Sequence, residues 1–386
     1  MLQKITVFLL LIAGVIKLAQ AQDSSYARTI VDTLSSRYFF GRGYVNSGME
    51  KAAGFISEQF ISTGLQPIDG KEYLQYFEYP VNTFPGKVFF KAGRKKLKPG
   101  IDFIVAPESR GIKARGKLVR IDSARFLDPL NKLIVTGQEK LTWSVSQKEA
   151  DHSMIWMRQG LLAASAKYKC RIDQQFVANF RAANVCGVIR GTAYPDSFIF
   201  ITAHYDHLGG MGKRIFFPGA NDNASGVALL LNLARYYAAH PQAYSMVFVC
   251  FAGEEAGLLG SRYFTEHPPI PLNRIKFLIN TDLAGTGEEG ITIVNATLHP
   301  KEYQLLVTMN DSLKLLKEIR SRGRAANSDH YYFSEKGVPS FFIYTMGGTQ
   351  AYHDVFDKSS TLPMNEQKDL HLLLRKFVEI LQSPKF

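Results

Sequence analysis

Cysteine is scarce in this sequence, which has three such residues, Cys170, Cys186 and Cys250, in 386. Three cysteines cannot build the framework of several disulfides that staples a small secreted fold. Cys250 lies inside the apolar run VFVCF and is predicted to be a buried structural thiol. Cys170 and Cys186 would have to meet the geometry of a disulfide in order to pair, so two free thiols are the favoured interpretation. With 46% hydrophobic residues, the chain is expected to be stabilised by an ordinary core.

Long apolar runs are also rare, and the one that stands out is at the start of the chain. Residues 5–16 are apolar, Lys4 precedes them, and the triplet Ala19-Gln20-Ala21 follows. This order is typical of a secretory signal peptide, and the run is too short for a comfortable transmembrane helix. We therefore expect residues 1–21 to be removed and the mature protein to be exported to a periplasm or beyond, without membrane attachment.

Acidic residues are outnumbered, because 46 lysines and arginines face 34 aspartates and glutamates, a formal net charge of +12. Much of the excess lies in segments 86–100 and 109–120, where cations alternate with apolar residues beside glycine and proline. Such segments can attract nucleic acid or an anionic surface. The alternation is more typical of the solvent face of β-hairpins, so we predict a solvated sheet edge and no nucleic-acid partner.

The chain divides into three stretches by pattern. Residues 22–80 include a helical pattern. Residues 81–178 contain short β-like runs and basic turns, and are interpreted as a β-rich inserted lobe. From 179 to 386, short apolar strands alternate with amphipathic helices. This alternation predicts an α/β fold with a central, mostly parallel mixed sheet covered by helices on both faces.

Polar side chains follow the apolar strands of this last stretch. The candidates are His204 after FIFITA, Asp222 in PGANDNASG, Glu254 and Glu255 after SMVFVCFAG, Asp282 after IKFLIN, and His353 after FFIYTMGGTQA. Because ligand sites of open α/β sheets form at the carboxyl ends of the strands, we expect these side chains to converge. Adjacent glutamates such as Glu254 and Glu255 are costly at the end of a buried strand unless they are paired or bound to metal.

Five of these side chains offer nitrogen or oxygen donors and no thiolate, which suits catalytic zinc. If one carboxylate bridges two ions, His204, Asp222, Glu255, Asp282 and His353 give each ion three protein ligands. The ions then activate a shared hydroxide for attack on a carbonyl, and the remaining carboxylate, Glu254, serves as general base. Each motif alone is weak evidence, since Asn-Asp-Asn before a helix is ordinarily an N-cap, but their joint occurrence at strand ends is not expected from packing.

At these residues the sequence resembles the co-catalytic zinc exopeptidases of clan MH, which include secreted leucyl aminopeptidases, glutamate carboxypeptidases and divergent glutaminyl cyclases. The matching stretches are ITAHYDHLG, PGANDNASGVA, FAGEEAGLLGS, INTDLAG and AYHDVFDKSS. The resemblance implies a three-layer α/β/α fold and two zinc ions. His204 and Asp282 would bind one ion and Glu255 and His353 the other, with Asp222 as the bridge and Glu254 as the base.

Flanking residues take secondary roles by the same resemblance. Asp206 is expected to orient His204 through its other ring nitrogen, and Tyr352 to donate to the oxyanion of the tetrahedral intermediate. His207 is interpreted as a loop-surface histidine. The pair Asp329-His330 is expected to support the rim of the site rather than bind metal. Asp354 replaces the family's threonine beside the last histidine and is expected to affect the substrate pocket, whereas Asp357 stands at the family's spacing.

The leading hypothesis is an exported aminopeptidase acting on peptide substrates. A carboxypeptidase would need a cationic pocket, which the sequence does not locate, and a glutaminyl cyclase typically works with one zinc. A non-catalytic binding domain is disfavoured because the full ligand set and the base are present. By the resemblance, residues 22–80 and 179–386 correspond to the two parts of the catalytic domain, and residues 81–178 correspond in position to the protease-associated-like lobe that relatives carry as an insertion. The sequence leaves the oligomeric state and the role of residues 81–178 open.

Overall fold

The computed structural model describes residues 23–161 and 165–383, so the predicted signal peptide, residues 1–21, lies outside the described part. None of the helices in these two ranges is long and apolar enough to cross a membrane. The α-helices are α1 (Ser24–Leu34), α2 (Gly48–Thr63), α3 (Gly226–Ala239), α4 (Leu259–Glu266), α5 (Pro300–Leu313), α6 (His330–Glu335) and α7 (Gln367–Leu381).

The strands fall into two large sheets and one small hairpin. The first ten are β1 (Gln66–Pro67), β2 (Leu74–Thr83), β3 (Val88–Ala92), β4 (Lys95–Leu97), β5 (Phe103–Val105), β6 (Ile112–Arg120), β7 (Arg125–Asp128), β8 (Leu133–Gln138), β9 (Ser153–Arg158) and β10 (Ser165–Ile172). The others are β11 (Gln175–Ile189), β12 (Tyr194–His204), β13 (Gly210–Met211), β14 (Ile215–Phe216), β15 (Tyr244–Phe251), β16 (Ile275–Asp282), β17 (Gly290–Val294), β18 (Ile319–Ser321) and β19 (Ser340–Met346).

The central sheet has the order β1-β11-β15-β12-β16-β19-β17-β18, with β2 also paired to β11. Its middle strands β15, β12, β16 and β19 are mutually parallel, and the flanking pairs β11–β15 and β17–β19 are antiparallel. The predicted α/β class with a mixed, centrally parallel sheet is confirmed. Because neighbouring parallel strands end at the same edge, the residues that follow them are brought together.

Helices cover both faces of the central sheet, as the near-continuous apolar strands require. Ile199 and Ile201 of β12 point into a core shared with α1, α2, α3 and α7. Phe198 and Phe200 point to the other face, where they join Phe264 of α4 and other buried side chains. Alternate side chains of this one strand thus pack in two separate hydrophobic cores.

Strands β3 to β10 form the second sheet, in the order β4-β3-β10-β6-β7-β8-β9-β5, within the stretch interpreted as an inserted lobe. This lobe lies in the chain between β2 and β11, which pair with each other in the central sheet, and it has its own core. All three cysteines are buried and free, with Cys170 in the lobe and Cys186 in the central sheet. The alternative of a Cys170–Cys186 disulfide is therefore wrong.

Candidate active site

The carboxyl ends of the parallel strands bring the predicted ligands together. His204 is the last residue of β12 and Asp282 the last of β16, and both are buried. Glu254 and Glu255 follow β15, and His353 lies in the loop after β19. Asp222, also buried, lies in the segment Ala220–Ser225 before α3, and its own backbone is extended rather than helical, with φ −108° and ψ 98°.

Two groups of side chains form at this edge, and Asp222 belongs to both. Nε2 of His204 lies 3.3 Å from Oδ2 of Asp282 and 3.5 Å from Oδ1 of Asp222. Nε2 of His353 lies 3.1 Å from Oδ2 of Asp222 and 3.2 Å from Oε2 of Glu255. One oxygen of Asp222 therefore faces each group, as a bridging carboxylate requires.

The spacing of these donors fits metal coordination. At the usual zinc–ligand distance of about 2.0–2.1 Å, two ligands of one tetrahedral ion lie about 3.3 Å apart. The four nitrogen–oxygen distances in the two groups, between 3.1 and 3.5 Å, agree with that separation. The donors are imidazole nitrogens and carboxylate oxygens, which zinc accepts.

His207 is the main departure from the sequence prediction. It was expected on a loop surface, but its side chain is fully buried, with Nδ1 2.6 Å from Oε1 of Glu255 and 3.8 Å from Oδ1 of Asp222. Proximity alone groups His207 with Asp222 and Glu255 as possible metal ligands. The 2.6 Å separation is too short for two ligands of one ion and is that of a hydrogen bond. His207 therefore holds one oxygen of Glu255, while the other oxygen faces His353.

The backbone of Asp222 is held from both sides. Its N–H donates to Oδ2 of Asp357 at 3.0 Å, and its carbonyl accepts from Nη2 of Arg42 at 3.0 Å. Arg42 is wholly buried and also donates to the carbonyl oxygens of Tyr205, Leu34, Pro218 and Gly219. Burial lowers the pKa of Arg42 to about 10, so the side chain remains a cation at neutral pH.

Asp206 holds the loop of the two glutamates. Its carboxylate oxygens accept the backbone N–H groups of Glu254 at 3.1 Å and Glu255 at 3.3 Å. Nδ1 of His204 lies closer to the backbone carbonyl of Asp206, at 3.1 Å, than to its carboxylate, at 3.9 Å. The residue predicted to orient His204 is thus placed beside it, but the close contact comes from the main chain.

Burial and crowding shift the titration of the carboxyl groups. Burial raises the pKa of Glu254 well above its usual range, and the nearby Asp329 and Glu255 add to that effect, which His204 opposes. Burial likewise raises the pKa of Asp206 to about 7. Asp222 behaves in the opposite way, because His207, His353 and His204 outweigh the effect of burial and lower its pKa. Asp222 therefore stays ionised at neutral pH, whereas burial disfavours the charged forms of the carboxyl groups around it.

Similarity to known proteins identifies the family of this chain. The model of a family described as "Peptidase family M28" matches residues 184–378, half of the chain. The chain belongs to peptidase family M28. All the metal-ligand candidates lie inside the matched residues, whereas Arg42 lies outside them.

Relatives of this M28 member include aminopeptidases. Aminopeptidase YwaD of Bacillus subtilis is 31% identical over 167 residues, which is 42% of this chain and 35% of YwaD, so the match spans about a third of that relative. A zinc aminopeptidase structure from Bacillus subtilis has a TM-score of 0.71 at 18% identity and covers 95% of this chain and 97% of its own. A glutaminyl cyclase from Porphyromonas gingivalis has a TM-score of 0.53 at 14% identity, covering 92% and 98%. At these identities the two structures show the shared fold.

The inserted lobe of this M28 member reaches the ligand loops through residues 140–147. The backbone N–H of Trp143 donates to the carbonyl of His353 at 2.9 Å, and its carbonyl lies 3.0 Å from Nδ1 of His353. Lys140 donates to the carbonyl of Gln350 at 2.9 Å and lies 3.7 Å from Oδ2 of Asp354. Gln147 donates to the carbonyl of Ala256, in the loop of the two glutamates, at 2.7 Å.

Two residues beside His353 differ in their exposure. Tyr352 is 45% exposed, and its ring stacks on that of His353 with centroids 4.0 Å apart. Partial burial of the phenol and the nearby acidic groups, Asp222 and Glu255 first among them, raise the pKa of Tyr352. Asp354 is buried, accepts the N–H of Phe356 at 2.8 Å and faces Lys140, so its charge is balanced by the lobe rather than presented as an unpaired group.

The pair Asp329-His330 is buried next to the site but outside the ligand groups of the described residues. Burial raises the pKa of Asp329 to about 6, although the charge of His204 opposes the shift. His330 packs against the ring of Phe342 with centroids 5.3 Å apart. A supporting role for this pair stays a prediction.

Sequence reasoning missed the contributions of Arg42, His207 and Trp143. The signal for Arg42 was its position between two glycines: Gly41 has a φ of +71°, and a Cβ there would lie 2.2 Å from the carbonyl oxygen of Gly209. Such a close approach marks a loop that is packed against another loop. His207 and Trp143 carried no comparable pattern.

Proposed function

We propose that the protein is an exported zinc-dependent exopeptidase that removes residues from the N-terminus of peptides. The observation that carries the proposal is the double use of Asp222, which faces His204 and Asp282 with one oxygen and His353 and Glu255 with the other. Family membership and the named aminopeptidase relatives support the same reaction class. The signal-like pattern of residues 1–21 supports export.

Zinc at these two groups would polarise the scissile carbonyl and lower the pKa of a water molecule between them. One ion would be held by His204 and Asp282, and the other by His353 and Glu255. Both ions would be bound by Asp222. His207 would keep Glu255 turned so that one oxygen faces the metal, in the manner of the outer partners of metal ligands. Arg42 and Asp357 would fix the backbone of the shared ligand.

Glu254 is the proposed general base. Its backbone is held by Asp206, and its neighbours in the site include His204 and Asp282. A carboxylate whose pKa is raised by burial is a stronger proton acceptor than an exposed one. Glu254 would take the proton of the attacking water and later give it to the departing amine. Tyr352, exposed beside His353, is placed to donate a hydrogen bond to the developing oxyanion.

The acidic groups around the site favour recognition of a free amino terminus. The carboxyl groups of Glu254, Asp206, Asp329 and Asp282 belong to the same cluster as the shared ligand Asp222, and a cation bound among them would favour their charged forms. Of the cations near the ligand loops, Arg42 donates to carbonyl oxygens, Lys140 faces Asp354, and Lys358 lies over the ring of Phe356. These contacts engage the three cations with groups of the chain itself, whereas a carboxypeptidase would need a cation for the substrate carboxylate. An ammonium group fits this environment better.

End-blocked peptides test the proposal. A peptide with a free N-terminus and an amidated C-terminus should lose residues stepwise from its N-terminus, as followed by mass spectrometry. The same peptide with an acetylated N-terminus and a free C-terminus should remain intact. Loss of residues from the second peptide would instead establish a carboxypeptidase. Loss of ammonia from a peptide that begins with glutamine, without chain shortening, would establish a cyclase.

A further inference from the structure

The inserted lobe carries a cationic sheet face that the proposed reaction does not use. Its strands β4, β3, β10 and β6 are neighbours, and their alternate residues are lysine or arginine. The cations of this face are Lys96 (β4), Lys91 (β3), Lys167, Lys169 and Arg171 (β10), and Lys113, Arg115 and Lys117 (β6). The residues between them, such as Phe90, Tyr168 and Cys170, are buried in the core of the lobe.

The register places these cations directly opposite one another. Lys167 pairs with Lys117, Lys169 with Arg115, and Arg171 with Lys113 along the β10–β6 ladder. Lys169 also pairs with Lys91, and Lys91 with Lys96, which extends one row of four cations across four strands. Like charges at directly opposed positions destabilise a sheet. The solvated hairpin edge predicted from the sequence does not account for such a repeated arrangement.

Little negative charge compensates this face. Among the salt bridges of residues 23–161 and 165–383, Arg171 has an acidic partner, Asp173, at 2.8 Å, and the other seven cations have none. Apart from Lys91, which is half-buried, these residues are exposed. An external anion that binds this face would therefore reduce the repulsion between its lysines and arginines.

We propose that this face binds the surface of a membrane that contains anionic lipids. Clusters of four to eight lysines and arginines are the size that recognises such surfaces, and four adjacent strands present their cations on one broad sheet face. Six of the eight cations are lysines, which act as point charges rather than as the bidentate forks used to read bases and single phosphates. Sheets that bind single-stranded nucleic acid expose aromatic rings for stacking. On this face Phe89 is half-buried and lies near the ammonium groups of Lys87 and Lys96.

Vesicle binding tests the proposal with a matched pair of variants of the mature protein. The face variant combines Lys169→Gln, Arg115→Gln and Lys117→Gln. The control variant removes the same charge from the exposed surface of the other domain, by Lys301→Gln, Lys317→Gln and Lys336→Gln. Sedimentation with phosphatidylcholine vesicles, with and without phosphatidylglycerol, measures the partition coefficient at about 0.1 M salt.

We expect the wild-type protein and the control variant to bind only the vesicles that contain phosphatidylglycerol. The face variant should bind them on the order of a hundredfold more weakly, since each cation near an anionic surface contributes about fivefold. The face variant should also melt at a higher temperature than the wild type at low salt, because a row of like charges is broken. This increase excludes misfolding as the cause of weak binding.

Three results would overturn the proposal. One is the absence of wild-type binding to phosphatidylglycerol vesicles, and another is an equal loss of binding in the two variants. The third is salt-dependent binding to duplex DNA without binding to vesicles, which would assign the face to nucleic acid instead.

Discussion

The backbone of Trp143 brackets His353 with two contacts: its N–H donates to the carbonyl of His353 at 2.9 Å, and its carbonyl lies 3.0 Å from the ring Nδ1. The indole of Trp143 fixes this backbone, since it stacks on Phe217 and donates to the carbonyl of Val105 at 2.8 Å. A residue of the inserted lobe therefore sets the orientation of a proposed ligand that is 210 positions away.

Trp143→Ala should weaken the binding of one metal ion and leave the other in place, because the variant frees the backbone that orients His353 but does not touch His204. Loss of an outer partner of a metal ligand lowers metal affinity by about 10- to 100-fold. Cobalt titration followed by absorption would resolve the two sites. Trp143→Phe should restore most of the affinity through its stacking on Phe217. Trp156→Ala, in the same lobe, serves as the control, and an equal effect of that variant would show that general loosening of the lobe is responsible.

His207→Ala should lower the affinity of the same site, because Oε1 of Glu255 loses the donor that now lies at 2.6 Å. His207→Asn offers an amide donor at a similar position and should recover part of the affinity. The measurement is the zinc dissociation constant from competition with a chelator, and a decrease of about 10-fold is expected for alanine. Unchanged affinity in His207→Ala would contradict the assigned contact.

Arg42→Met should be strongly destabilising. The substitution removes hydrogen bonds to five buried carbonyl oxygens, including that of Asp222, and leaves them without their donor. Breaking a buried charged network in this way costs about 3–5 kcal/mol. Denaturant unfolding would measure the change, with the exposed Arg37→Met as a control that should cost less than about 0.5 kcal/mol. A small effect of Arg42→Met would show that water replaces the guanidinium.

The central architecture and the ligand positions follow from the sequence for a local reason. Apolar strands such as β12 and β16 are continuous in the chain, and His204 and Asp282 come at their ends. Parallel pairing then brings those ends together without further information. The environment of His207 depends instead on the Arg42 loop and on the loop of Glu255, which are distant in sequence, so its burial has no local signature. The contact between Trp143 and His353 likewise depends on how the lobe packs.

His371 on α7, which is not one of the proposed metal ligands, makes the stability of the protein depend on pH. Burial lowers its pKa to about 3, and the positive charge of Arg375 adds to that effect. The pKa of a histidine in the unfolded chain is about 6.5. Between about pH 3 and pH 6.5, the unfolded chain therefore binds more protons at His371 than the folded chain does. Its contribution to stability is complete above pH 6.5 and is lost as the pH falls through that window.

Unfolding of the metal-free protein at pH 7 and pH 5 measures this contribution. The lower pH is about 1.5 units below the pKa of histidine in the unfolded chain, and this difference corresponds to about 2 kcal/mol in the free energy of unfolding. His371→Gln should therefore reduce the loss of stability between the two pH values by about that amount. Removal of the metal with a chelator keeps protonation of the ligands from contributing through metal release. An identical pH dependence in the variant and the wild type would contradict the prediction.

The central claim is that two zinc ions share Asp222 and that Glu254 moves the proton without binding metal. Metal content by elemental analysis, measured together with hydrolysis of an aminoacyl-nitroanilide for the wild type and Glu254→Gln, tests it most directly. The account predicts two zinc ions per chain in both proteins and a large loss of activity in the variant. One zinc ion or none in the zinc-saturated wild type, or a loss of metal in Glu254→Gln, would contradict it.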